Sequence, residues 1–151
     1  MLRIFRVLLA FSLIGLSGCG QVEFTLSNGQ HKSLDEFNGR WLVINYWAVW
    51  CKPCIEEIPQ LNLLNERKNI EVLGVNFDGL LGDELMQQAE TFGIGYEMVI
   101  RDPSEDLAIE RPNALPATVL IDETGEVRGL LYGPQTVDSI LEKLSSLELG
   151  E

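Results

Sequence analysis

The chain has 151 residues, 46% of them hydrophobic, and a formal net charge of −12. That length suits one domain able to bury its own apolar core. The acidic balance excludes binding to nucleic acid, whose phosphates need a basic surface, and equally excludes electrostatic attraction to anionic lipid.

The first eighteen residues read as an export signal. Arg3 and Arg6 give a positive start, and the apolar run from Val7 to Leu16 is too short to span a bilayer as a helix. The run ends in Leu16-Ser17-Gly18-Cys19, which resembles a bacterial lipoprotein box. That resemblance implies cleavage before Cys19, lipidation of Cys19, and a short linker over residues 19–21. Several acyl chains hold a protein at a membrane stably, whereas one holds it marginally. Gly20, rather than aspartate, follows the cysteine, which in a Gram-negative host resembles an outer-membrane sorting signal. Loss of Arg3 and Arg6 leaves nine of the 11 basic residues against 23 acids, a mature charge of about −14.

Residues 22–151 read as one α/β domain. Val22 to Leu26 alternates like a strand, Asn28-Gly29 marks a tight turn, and Gln30 to Ser33 returns as its partner. Leu34 to Gly39 reads as a helical turn stopped by glycine. Trp41 to Trp47 is a nearly unbroken apolar strand, the pattern of a strand covered on both faces. Ile55, Ile58, Leu61 and Leu64 then recur at helical spacing, with Glu56 and Glu57 in the first turns where they favour the helix dipole. Glu57 reads as an exposed helix carboxylate and is given no role.

Ile70 to Phe77 reads as a second buried strand, Asp83 to Phe92 as a helix ended by Gly93, and Tyr96 to Ile100 as a short strand. Ser104 is placed to cap a brief helix reaching about Ile109. Ala117 to Ile121 and Val127 to Tyr132 are strands joined by a turn at Asp122 to Gly125. Thr136 caps a closing helix carrying Val137, Ile140, Leu141 and Leu144, and Glu148 to Glu151 reads as a frayed end. This order predicts βαβ crossovers, then a hairpin and a helix: an α/β sheet with helices on both faces.

The chemistry is concentrated in Trp50-Cys51-Lys52-Pro53-Cys54, where the first long strand gives way to a helix. Unpaired N–H groups and the partial positive charge of a helix N-terminus stabilise a thiolate, the reactive form of cysteine. Lys52 adds a cation, and Pro53 suits a first helical turn because its missing N–H would have no partner there. Zinc needs about four ligands, and beyond this pair the chain supplies only Cys19 and His31, so no metal is expected. A purely structural bridge is a poor reading, since so short a loop restricts the unfolded chain little. With Cys19 given to lipid, one pair remains, and it reads as a redox-active dithiol needing no cofactor.

Two motifs together, Trp47-Ala-Val-Trp50-Cys-Lys-Pro-Cys54 and Leu115-Pro116-Ala-Thr118, resemble the thioredoxin superfamily. The N-terminal hairpin, Asn45 within Ile-Asn-Tyr-Trp-Ala, and the added helix and strand from Asp83 to Ile100 narrow this. They resemble the membrane-anchored TlpA/ResA/CcmG-type thiol-disulfide oxidoreductases of bacterial envelopes. The resemblance implies a thioredoxin-like fold with a central mixed sheet, an N-terminal β-hairpin and a central helix–strand insertion. It implies that Cys51 attacks a substrate disulfide, that Cys54 resolves the mixed disulfide, and that Pro116 follows a cis peptide bond. Trp50, Lys52, Pro53, Leu115 and Pro116 would then line the substrate side. Trp47 is equally readable as site aromatic or as core packing.

One departure concerns the proton. Asn45 stands where the cytosolic thioredoxin pattern has a buried aspartate, and asparagine does not titrate. By resemblance to tethered members, Asp78 is the candidate: near Cys54, partly buried, with a raised pKa. Asp78 beside Gly79 also reads as a solvated turn residue.

The activity implied is disulfide reduction in exported proteins, including those of cytochrome c maturation, with a membrane electron donor of the DsbD/CcdA type. The remaining partner is the membrane, through the Cys19 anchor, with a monomeric domain facing the periplasm. An oxidase or isomerase is the alternative, although the chain lacks the histidine between the cysteines and the large helical insertion of the oxidising branch. A Cu(I)-binding module on the same fold is a weaker reading, with no nearby His or Met to complete the site. A peroxidase reading fails, because Cys51 lies in Cys-x-x-Cys and not in a Thr-x-x-Cys loop.

Overall fold

A computed structural model describes residues 22–150 of the chain. The expected signal segment 1–18, the linker 19–21 and Cys19 lie outside the described residues.

The elements run β1 (Glu23–Thr25), β2 (His31–Ser33), a 3-10 turn (Leu34–Phe37), β3 (Trp41–Trp47), α1 (Lys52–Asn65), β4 (Ile70–Asn76), α2 (Gly82–Thr91), β5 (Glu97–Val99), β6 (Ala117–Ile121), β7 (Val127–Tyr132) and α3 (Val137–Glu148). β1 and β2 form a separate antiparallel hairpin, and the main sheet has the order β5-β4-β3-β6-β7. β3, β4 and β5 are parallel neighbours, whereas β6 runs antiparallel to both β3 and β7. This is a thioredoxin-like α/β fold with a mixed five-stranded sheet, an N-terminal hairpin, and α2–β5 as the added unit.

All seven residues of β3 are buried, as its unbroken apolar sequence requires of a central strand. Alternation splits them between two cores. Trp41, Val43 and Trp47 share one with Leu61 and Leu64 of α1, Leu85 and Ala89 of α2, and Ile140 and Leu144 of α3. Leu42, Ile44 and Tyr46 share the other with Phe24 and Leu26 of the hairpin region, Phe37 of the 3-10 turn, and Leu107. The crossovers β3–α1–β4 and β4–α2–β5 step across the sheet in one direction, so right-handed connections put both helices on one face. Helical cover is thus three α-helices on one face and a 3-10 turn on the other.

Two local expectations are corrected. The segment after Ser104 forms consecutive turns, not a helix: Leu107 N–H reaches Pro103 O at 2.9 Å, but Ala108 has φ of 53°, which stops helical propagation. Glu148 is not frayed. It ends α3 and accepts a hydrogen bond from the Trp41 indole at 3.0 Å. At the start of α3, Thr136 and Ser139 cap each other reciprocally, each side chain accepting from the other's backbone N–H.

Candidate active site

β3 delivers the chain through Ala48-Val49-Trp50 to Cys51, which is the N-cap of α1. The Cys51 sulfur accepts the backbone N–H of Cys54 at 3.3 Å, so an otherwise unpaired donor of the first helical turn points at it. Pro53 occupies that first turn. The two cysteines are joined in a disulfide, with Cα atoms 5.3 Å apart. Cys51 is 5% exposed and Cys54 is fully buried, so an incoming thiolate or disulfide meets Cys51. Trp50, beside it, is 63% exposed.

Lys52 points away into solvent and pairs with Glu56 at 3.5 Å, both side chains largely exposed. Such a pair is worth little. The polarising influence on Cys51 therefore comes from the helix end more than from Lys52.

The Leu115–Pro116 peptide bond is cis. The next residue, Ala117, pairs with Tyr46, so Pro116 lies beside the C-terminal end of β3, where the cysteine loop departs. Gly133 donates its N–H to Pro116 O at 2.9 Å, tying this turn to the chain beyond β7. Leu115 packs against the apolar cluster that holds both cysteines. Trp47 is fully buried in the same cluster, its ring edge-on to Phe92 with centroids 6.2 Å apart, so it is core beneath the site.

Asp78 does not occupy the half-buried position expected of it. The turn after β4, with Gly79 at φ of 71°, places Asp78 at the exposed surface. Both its carboxylate oxygens accept the Trp50 indole N–H, at 3.1 and 2.9 Å. Asn76 holds the turn by accepting from the N–H groups of Asp78 and Leu80. Asp78 is thus the partner of an exposed ring at the rim of the site.

The buried acid is Glu57, 2% exposed, which overturns its reading as a surface carboxylate. It lies three residues after Cys54 on α1, one turn along the same face. Asn45 Nδ2 donates to Glu57 Oε1 at 2.7 Å, and the backbone N–H of Gln135 donates to Oε2 at 2.7 Å. Tyr96 Oη donates in turn to Asn45 Oδ1 at 3.3 Å. Burial pushes the Glu57 carboxyl up to about 7, against the opposing pull of the Gln135 and Asn45 hydrogen bonds. A carboxyl group half-ionised near neutral pH, one turn from a buried thiol, suits proton exchange. Among the described residues no group of three or more His, Cys, Asp or Glu is arranged to hold a metal ion.

Residues 19–130 match the AhpC/TSA family. The chain belongs to that family. Within it, the chain is 32% identical over 131 residues to the thiol-disulfide oxidoreductase ResA of Geobacillus thermodenitrificans, covering 83% of this chain and 75% of ResA. Among solved structures, StoA from Bacillus subtilis superposes with a TM-score of 0.62 at 19% identity, covering 80% of this chain and 92% of StoA. The exposed lipoprotein thioredoxin Etrx1 from Streptococcus pneumoniae superposes with a TM-score of 0.69 at 19% identity, covering 83% and 98%. These two likenesses carry the fold alone. With the ResA match and the Cys51–Cys54 disulfide, the chain is a thiol-disulfide oxidoreductase.

Glu57 was missed because helix-terminal acids are ordinarily read as surface charges complementing the dipole. A signal was present in the spacing. Cys54, Glu57, Leu61 and Leu64 recur at helical intervals, and all four are buried on one face of α1. Asn45, a polar residue inside a fully buried strand, also called for a buried polar partner.

Proposed function

We propose that this oxidoreductase is a disulfide reductase of the bacterial cell envelope, acting on exported proteins and serving cytochrome c maturation. The observation that carries the reading is the pairing of a reachable sulfur, Cys51, with a buried acid one turn beyond Cys54. In the reduced protein, the Cys51 thiolate attacks one sulfur of a substrate disulfide. A mixed disulfide forms and the other substrate sulfur leaves as a thiolate that takes a proton from water. Cys54 then gives its proton to the Glu57 carboxylate and attacks Cys51. The Cys51–Cys54 disulfide forms, the second substrate sulfur leaves as a thiolate that takes a proton from water, and two electrons have passed to the substrate.

Leu115 and Pro116 line the substrate strand, with Trp50 and Pro53 flanking the attacking sulfur. A modest thiolate-stabilising apparatus at Cys51, a helix end without a directed cation, favours a reducing couple over an oxidising one. The resulting disulfide requires re-reduction, which we assign to a membrane electron donor of the DsbD/CcdA type. Lipidation at Cys19 would tether the monomeric domain in the periplasm, at the outer membrane in a Gram-negative host. No helix among the described residues is long and apolar enough to cross a membrane.

The test is the reduction potential of Cys51/Cys54, read by thiol trapping after equilibration in redox buffers. A reductase is expected at or below about −270 mV, the range of thioredoxin, whereas a value above about −180 mV would make the protein an oxidase or isomerase.

A further inference from the structure

Glu57 is reached by two hydrogen-bond donors from other elements: the Asn45 amide of β3 and the Gln135 backbone N–H of the segment before α3. An asparagine amide can present either its NH2 or its oxygen, and the two choices have opposite consequences for an acid. The NH2 group favours a carboxylate. The oxygen favours a carboxylic acid, whose O–H it can accept. At the far side of the amide, Tyr96 Oη donates to Asn45 Oδ1 at 3.3 Å, which leaves the NH2 group for Glu57. Tyr96 is 6% exposed and stands just before β5, in the unit added between β4 and β6.

We propose that Tyr96 is a positioning residue for the proton-accepting group of this site: its hydroxyl occupies the Asn45 oxygen and so fixes the amide with its NH2 toward the Glu57 carboxylate. The inference rests on the assignment of Glu57 as the proton acceptor and deepens it. The lock requires a phenol that remains protonated, and two features of the site ensure this. Burial, first, and the neighbouring Glu57 charge, second, push the Tyr96 hydroxyl far above its ordinary range. Tyr96 is the titratable side chain that meets this cluster from a neighbouring element, and Cys54 is the one that precedes Glu57 on α1.

Removing the hydroxyl leaves Asn45 Oδ1 without its donor and frees the amide to turn. Its oxygen can then face Glu57 and accept from the protonated acid, so the proton is held to higher pH. A merely structural tyrosine would affect folding stability but leave this titration alone.

The experiment is a 13C-carboxyl NMR titration of the reduced protein, with Glu57 assigned from the signal lost in Glu57→Gln. It is run on the wild type and Tyr96→Phe, with the pH dependence of thiol–disulfide exchange recorded on the same samples. Tyr96→Phe should raise the Glu57 midpoint by about one pH unit, the size of one lost hydrogen bond to a charged group. Exchange should shift along the pH axis by the same amount. Asn45→Ser, which removes the amide, is the second variant: Tyr96→Phe added to it should have no further effect on the midpoint. An unmoved midpoint in Tyr96→Phe, or an equal shift with and without Asn45, overturns the positioning role. A shifted midpoint with an unshifted exchange profile leaves Tyr96 positioning Glu57 and overturns Glu57 as the proton acceptor.

Discussion

Glu57 and Asp78 are two carboxylates associated with one cysteine pair, and their surroundings are opposite. Asp78 lies on the exposed turn after β4 and holds the indole of Trp50, itself mostly in solvent. Glu57 lies in the interior, held by Asn45 and by the backbone of Gln135, with its proton affinity raised by burial. The sequence places Asp78 in an Asp-Gly turn and Glu57 in a run of two glutamates, so local composition makes both look like surface groups. What separates them is which side of an element each faces. A carboxylate at the rim can orient the exposed ring beside Cys51. One in the interior, near neutral pKa, can exchange a proton with a buried thiol.

That division predicts a graded series of effects. The largest is expected of Glu57→Gln, which keeps shape and one acceptor but cannot take a proton. The resolving step at pH 7 should slow by about a hundredfold, the low end of what a positioned base contributes, while attack by Cys51 is little changed. Stopped-flow release of a chromogenic thiol from the Cys51 mixed disulfide separates the two steps.

Stability should respond in the opposite sense. Glu57 has a folded value of about 7 against an ordinary value of 4.5, so the unfolded chain gives up this proton first. The contribution of Glu57 is therefore complete below about pH 4.5 and is lost as pH rises through about 7, by an amount on the order of a few kcal/mol. Urea unfolding of the oxidised protein should show Glu57→Gln more stable than wild type at pH 8, with the difference gone by about pH 4.5. A variant that tracks the wild type across this range would show that burial does not raise the proton affinity of Glu57.

At the rim the effects should be smaller and of another kind. Asp78→Ala leaves the Trp50 indole without its acceptor, and a few-fold rise in KM for a protein disulfide is expected, with kcat held within about twofold. Asp78→Asn keeps a carbonyl acceptor and should restore most of the loss. If Asp78→Ala instead lowers kcat and moves its pH dependence, the roles of the two carboxylates have been reversed. The smallest effect is expected of Lys52→Ala. Its ammonium is exposed and engaged with Glu56, so exchange rates should stay within about twofold of wild type.

The contrast also marks where sequence reading works. The strands and helices around the site were legible because Trp41 to Trp47, Ile70 to Phe77 and the 55-58-61-64 spacing carry strong periodic signals that tertiary packing reinforces. The cysteine pair was legible because its spacing and helix-start position have few other uses. Glu57 was not, because the pairs that define it join β3 to α1 and α1 to the segment before α3, contacts between residues 12 and 78 positions apart. Asn45 could be seen to differ from an acid, but nothing local says which element answers it. The turn after Ser104 failed for a different reason: its cap signal is real, yet Ala108 adopts a left-handed conformation that no local preference of alanine foretells.

The most direct test of the central claim is the pH dependence of mixed-disulfide resolution in wild type and Glu57→Gln. The wild-type rate should rise with pH through a midpoint near 7, as Glu57 becomes able to accept the Cys54 proton, and Glu57→Gln should lose that midpoint. The same midpoint in both proteins would contradict it, and would place the proton acceptor elsewhere.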